Sequence, residues 1–336
     1  MLERLKTLSE LYGVSGNETR VRAYLRRQVE PYADEVFVDP VGNLYAHKRG
    51  SGPRVMLAAH MDEVGMIVRG ITDAGTLLYD AGGIDPRVVV SKRVSVGPND
   101  IPGVIGAKAI HLQSWDEMKR VLPHENLYIE IGAKDKASAE RLVSPGDYIC
   151  FDSDWVEFGD ALVKARALDD RVGCNCMLSI LEGDYPCDVT CAFTVQEEIG
   201  CRGAMVAGWN IKADCVIALE GTAANDTGME DECMKVCRVG EGVAISFMDR
   251  GTIAHRGLYK RLREVAQEAG VRWQVKKFVS GSNDARYFQN EHGALAAAVL
   301  SVPCRYIHSP SNVASFHDIE AQYQLVDAFL AAGGTF

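Results

Sequence analysis

The spacing of apolar residues changes character twice along the chain. In residues 1–30 they recur at helical intervals and break at Gly13-Val14-Ser15-Gly16, which predicts two short helices with Asn17 capping the second. Residues 55–59 are then uninterruptedly apolar, as in a strand buried on both faces, and the run delivers His60 to a sheet edge. From about Met66 to Asp160 the texture turns to short β-like runs at 66–68, 87–90, 94–96, 127–131 and 147–151. Glycine and proline punctuate these closely, at Gly82-Gly83, Pro86, Gly97-Pro98, Pro102-Gly103 and Pro145-Gly146, which predicts a compact β-barrel or sandwich. Helical periods return after Asp169; Leu258, Leu262, Val265 and Ala269 share one face of a helix over 254–269 that Gly270 ends. The chain therefore reads as an α/β domain (1–65 and 161–336) interrupted by a β-rich insertion (66–160).

The apolar runs also end alike. Residues 189–195 lead into Gln196-Glu197-Glu198-Ile199-Gly200, 54–59 into His60-Met61-Asp62, 215–219 into Glu220, and 295–300 to His308 a few residues on. In an open α/β sheet, ligands gather outside the carboxyl ends of the strands. Alone, a histidine after a strand is more often structural than a ligand. Together these residues supply what a hydrolytic two-metal site needs: hard or borderline ligands, a carboxylate able to bridge, and a base for the proton of water. In extended chain His60 and Asp62 face the same way, so Asp62 is placed to hold or polarise the imidazole. Asp169, in Leu168-Asp169-Asp170-Arg171 just before a helical pattern, is the candidate bridge. Adjacent Glu197 and Glu198 divide naturally into one metal ligand and one base. His47, His111, His124, His255 and His292 lack such company and read as exposed or structural, and His317 as a cap for the last helix.

Bulk properties narrow the function further. The formal charge of −10 and the absence of a concentrated basic face argue against nucleic-acid binding; Arg20, Arg22, Arg26 and Arg27 interleave with Val21, Leu25 and Val29 as the solvated side of a helix. No segment approaches the roughly 20 apolar residues needed to cross a bilayer, and no signal-like start is visible, so a cytoplasmic location is expected. The ten cysteines, scattered through apolar and helical runs, read as reduced thiols. Cys233 and Cys237 have no nearby second pair that would make a zinc knuckle.

Four ordered motifs, Ala59-His60-Met61-Asp62-Glu63-Val64-Gly65, residues 167–173 around Asp169, Val195-Gln196-Glu197-Glu198-Ile199-Gly200 and Arg305-Tyr306-Ile307-His308-Ser309-Pro310, resemble those of the M42 metallo-aminopeptidases over essentially the whole chain. The resemblance implies an α/β/α sandwich with a PDZ-like inserted domain used in assembly, and tetrahedral dodecamers. It implies two divalent ions per subunit, zinc or cobalt, with His60, Asp169 and Glu220 on one and Asp169, Glu198 and His308 on the other. Glu197 becomes the general base and Asp62 its companion, acting on short peptides with a free amino terminus. Two positions depart from the family's pattern. Glu220 stands one methylene longer than the usual Asp, and Gly281-Ser282-Asn283-Asp284-Ala285 continues into Arg286-Tyr287-Phe288, making Asp284 and Arg286 candidate substrate-binding residues. The same ligands would also suit a hydrolase of N-acyl amino acids, or a metal-stabilised scaffold, although a scaffold has no use for Glu197. A glycosidase reading does not call for the histidines.

Overall fold

In the computed structural model, residues 1–228, 231–279, 281–290 and 294–336 are described; His292 lies outside them. An 11-stranded mixed sheet forms the centre, and four of its strands, Asp188–Thr194, Arg54–His60, Cys215–Ala223 and Ala296–Arg305, lie side by side and parallel. Their register matters for the chemistry. Thr194 pairs with His60, and Ala58 with Ala218, so Glu220, two residues past Ala218, comes level with His60 at the same edge. The continuous apolar character of the central strands follows from burial on both faces. Val55, Leu57 and Ala59 pack with residues of the Leu168–Leu181, Arg256–Glu268 and Phe316–Ala331 helices. Met56 and Ala58, pointing the opposite way, pack with Ala204, Ala207 and Phe288 from the Arg202–Asn210 and Ala285–Phe288 helices. The result is the expected α/β fold, with helices on both faces of a sheet.

The β-rich segment forms a closed, all-antiparallel barrel from the strands Met66–Ile71, Leu77–Ala81, Leu127–Glu130, Ile101–Ala107, Arg93–Val96 and Tyr148–Phe151. It has its own core, including Val68, Leu77, Val94, Ile105, Ile129 and Phe151. Arg20, on the second N-terminal helix, reaches the barrel by donating to both carboxylate oxygens of Asp100.

Several local expectations change. Residues 86–88 form a 3-10 turn instead of a strand, because Pro86 opens it and Asp85 caps it by accepting from Arg87 N. Glu18, not Asn17, stands at the start of the Thr19–Val29 helix, its carboxylate turned away to accept from Gly16 N and Gln196 N. The last helix is capped by Ser315, which accepts from the backbone N of His317. Ala269 lies outside the buried face of its helix, which closes with Ala266, and Gly270 ends it in the left-handed region. All ten cysteines are free thiols, and only Cys233 is exposed. No described helix is long and apolar enough to cross a membrane.

Candidate active site

The carboxyl ends of the parallel strands bring His60, Asp169, Glu198, Glu220 and His308 together. Asp169 occupies the middle, with Oδ1 3.4 Å from His60 Nε2 and Oδ2 3.9 Å from His308 Nε2. Each oxygen of one carboxylate thus faces a different imidazole. On the first side Glu220 Oε2 lies 3.7 Å from His60 Nε2, and on the second Glu198 Oε2 lies 3.1 Å from His308 Nε2. Gly221 permits this, since a Cβ there would stand 2.9 Å from both Cβ and Oδ1 of Asp169, whose carboxylate accepts from Gly221 N.

The turn after the Asp188–Thr194 strand is shaped by Asp62. Its Oδ1 accepts from Glu197 N at 3.0 Å, and its Oδ2 from Glu198 N at 3.2 Å and Ser15 Oγ at 2.6 Å. His60 Nδ1 rests against the Asp62 backbone oxygen at 3.2 Å, with Asp62 Oδ1 at 3.4 Å. Burial pushes the Asp62 pKa up, but His60, Ser15 and the Glu197 amide outweigh it and hold this carboxyl below its usual range. One side chain therefore orients the imidazole and fixes the backbone of both adjacent glutamates. Gln196 and His308 both take left-handed backbone, with φ of 57° each, and Ala167 and Cys201 do so at 54° and 53°. Such conformations cost roughly 1–3 kcal/mol apiece and gather where surrounding structure has a use for them.

Three supporting residues have partners that residue spacing does not reveal. Asp170, joined to Asp169 by a cis peptide, accepts from the backbone N of both His60 (3.2 Å) and Gly173 (3.1 Å). Glu63 is buried against Arg166, with Arg171 Nη2 at 3.6 Å, and accepts from Gly13 N. Asn43 Oδ1 accepts from Val195 N, while its Nδ2 donates to Gly203 O, tying together the two ends of the glutamate turn. Glu63 lies inside a motif that is legible in the sequence; its two partners become visible only once the chain is folded.

The donor set fits divalent cations on its own chemistry. Burial pushes Glu220 and Asp170 well above the ordinary carboxyl range, and Glu197 up to about 8, because few cations of the chain lie among so many acids. Glu220 Oε1 is buried without a hydrogen-bond partner. Oxygen and imidazole donors arranged around the Asp169 carboxylate suit zinc and its neighbours, and bound cations would relieve that charge. No ion is needed to explain the remaining histidines: His47 pairs with Asp188, His124 meets Tyr79 and the Ile84 carbonyl, and His255 caps a helix.

Two spaces flank the cluster. One, of 270 Å³, is lined by Thr222, Lys276, Ser282, Asn283 and Ile307. The other, a 550 Å³ cleft against the barrel, is lined by Ser15, Ile67, Tyr148, Ile199 and Arg202. Glu198 belongs to both. Asp284 is buried behind Glu197, with Thr194 Oγ1 donating to its Oδ2, whereas Arg286 is exposed over Tyr287 and lines neither space.

The M42 glutamyl aminopeptidase family profile matches residues 42–325. A protein of Acetivibrio thermocellus carrying the provisional name of aminopeptidase is 36% identical over 329 residues, covering 97% of each chain. Among solved structures, an aminopeptidase from the archaeon Desulfurococcus kamchatkensis superposes with a TM-score of 0.94 at 32% identity, over 98% of this chain and 94% of its own. The Pyrococcus horikoshii TET1 peptidase, which can assemble into a tetrahedron or a large octahedral shell, gives 0.87 at 31% identity over 98% of both chains.

Proposed function

The chain belongs to the M42 family of aminopeptidases, and from that premise we propose that it releases amino-terminal residues from short unblocked peptides at a two-cation site. The observation that carries this reading is the Asp169 carboxylate, which offers one oxygen to the His60–Glu220 side and the other to the His308–Glu198 side. His60, Asp169 and Glu220 would hold one ion, and Asp169, Glu198 and His308 the other. Such ions supply Lewis acidity, polarising the scissile carbonyl and lowering the pKa of water from 15.7 towards about 7.

Glu197 acts as the general base. It borders the 270 Å³ space beside the cluster and is the member of the glutamate pair not assigned to a cation, so it is placed to take a proton from water and return it to the leaving amine. Asp62 is a positioning residue, since it touches the backbone of both glutamates and the His60 ring. The limited space on one side and the wider cleft on the other suit a substrate with one residue before the scissile bond and several after it.

The assembly is read as a closed homo-oligomeric shell of the tetrahedral dodecamer type, as the P. horikoshii relative's tetrahedron suggests. The barrel offers contacts for it: Ile110, Leu112 and Trp115 are 72%, 63% and 78% exposed. Ten free thiols accord with action in the reducing cytoplasm.

The test compares wild type and Glu197→Gln, each reconstituted with zinc or cobalt, on a panel of unblocked and N-acetylated peptides, with bound metal counted. Hydrolysis of unblocked peptides by wild type alone, with two ions per subunit in both proteins, is expected. Cleavage confined to N-acylated substrates, or full activity in Glu197→Gln, refutes the reading.

A further inference from the structure

Behind the proposed base lies a second cluster of ligand types that the two-cation reading leaves unused. Glu197, Cys201 and Asp284 each present one donor atom, and the three atoms fall within 4.8 Å of one another. Cys201 is buried and sits at the start of the Arg202–Asn210 helix, its left-handed backbone, with φ of 53°, turning the thiol back so that Sγ donates to Glu197 Oε1 at 3.2 Å. Asp284 is 1% exposed. Its Oδ2 accepts from Thr194 Oγ1 at 2.5 Å; its Oδ1 is buried without a hydrogen bond of good geometry, although the Cys201 thiol stands near enough to this carboxyl to pull its pKa down against burial. A buried carboxylate oxygen without a well-formed hydrogen bond costs on the order of 1–3 kcal/mol, and among the described residues it lies in the only such cluster that also holds a thiol.

We propose that Glu197, Cys201 and Asp284 form a third cation site, selective for soft divalent ions such as zinc in excess or cadmium, whose filling takes the base out of action. This inference rests on Glu197 being the base. One donor separation can be compared with what a tetrahedral ion asks for, and the rest lie within 4.8 Å. Zinc to sulfur at about 2.3 Å and zinc to oxygen at about 2.1 Å put sulfur and oxygen ligands about 3.6 Å apart, near the 3.2 Å seen between Cys201 Sγ and Glu197 Oε1. Water would complete the four ligands. Binding releases the thiol proton to solvent and involves no change of oxidation state, since a coordinated thiol is deprotonated outright. Glu197 is thereby held as a ligand and cannot accept a proton from water. The thiolate distinguishes this site from the proposed pair, which consists of oxygen and imidazole donors, so softness of the cation selects between them.

The experiment adds cadmium chloride to protein already holding its two zinc ions, and follows the thiolate-to-cadmium charge-transfer band, bound cations per subunit and hydrolysis together. Wild type is expected to take up one further cation, show the band, and lose hydrolysis at the same midpoint. In Cys201→Ser the band disappears and the midpoint for inhibition, relative to that variant's own uninhibited rate, rises by about ten-fold or more, the scale on which loss of even an outer partner weakens metal binding. Asp284→Asn keeps the band and weakens uptake, which guards against misreading a misfolded cysteine variant. A band that survives unchanged in Cys201→Ser, or inhibition that is unchanged in both variants, overturns the proposal. If the band and the third equivalent appear in wild type while hydrolysis continues, the cation site stands and the assignment of Glu197 as base fails instead.

Discussion

Neutralising Glu63 tests how the active-site strand is anchored. Its carboxylate is 3% exposed and sits between two guanidiniums that are themselves buried, Arg166 at 2% and Arg171 at 0% exposed, so three charges share a dry pocket with a net charge of +1. Glu63→Gln preserves shape and an acceptor for Gly13 N but removes the carboxylate the two guanidiniums share, leaving Arg171 the weaker pull of Asp62. The Arg171 interaction alone, at 3.6 Å and an effective dielectric of 20, amounts to about 5 kcal/mol. Partial rehydration recovers some of this, and breaking one partner of a buried pair usually costs about 3–5 kcal/mol. With about 2.1 cal/mol/K of unfolding entropy per residue over 336 residues, a loss of about 4 kcal/mol lowers the melting midpoint by roughly 6 °C. Calorimetry of metal-free protein, with Glu130→Gln as an exposed control, measures it. A midpoint within about 1 °C of the control would mean that water reaches these charges, and the description of Glu63 as a buried anchor would be wrong.

Three other outcomes follow from the same geometry. Gly221→Ala forces a Cβ to 2.9 Å from Asp169 and should cut activity and two-ion occupancy roughly ten-fold or more while the melting midpoint of metal-free protein moves little; unchanged metal stoichiometry and rate would show that Asp169 has room to shift. Asp62→Ala removes the acceptor for both glutamate amides and should lower kcat far more than it raises KM, which steady-state kinetics on a short peptide resolves. In metal-free protein the Glu198 partner raises the His308 pKa from 6.5 to about 9, so the imidazolium's contribution to the metal-free fold is lost as pH rises through about 9; at low pH it lasts only while Glu198, whose pKa burial raises, stays ionised. At pH 7 an entering cation must expel that proton. Zinc titration calorimetry in buffers of differing ionisation heat should therefore report proton release, and none would refute the protonated state.

Local pattern carried the fold where the solvent environment of a segment is uniform. Strands buried on both faces leave no polar phase to misread, so the 54–59 and 215–219 runs and the ligand types that follow them were readable as contributing to one site, and the two strands pair in parallel. The barrel strands were readable by their close punctuation, and all but one of the five expected runs lies in or along a barrel strand. The exception, 87–90, shows what pattern omits. Val88, Val89 and Val90 form a β-branched run, yet the Asp85 carboxylate accepting from the Arg87 amide bends the segment into a turn. Asn17 and His317 failed as caps for a related reason: Glu18 and Ser315 stood closer to the helix starts that tertiary contacts selected.

The limits of legibility in the site run along the same physical line. A ligand type at a strand end is a local fact, and His60, Asp169, Glu198, Glu220 and His308 meet in space as their positions implied. A buried charge is instead a statement about distant segments. Glu63 is separated from Arg166 by 103 residues, and Asp284 from Thr194 by 90. No periodicity encodes such pairings, since the energy that fixes them is the desolvation each charge would suffer alone. Asp284 shows the consequence: its short polar motif suggested a substrate contact, whereas the fold buries it behind Glu197 with Thr194 donating to one oxygen and the Cys201 thiol close by. A carboxylate so placed acts on the proposed base or on a cation beside it, and the Cys201 and Asp284 variants separate those roles.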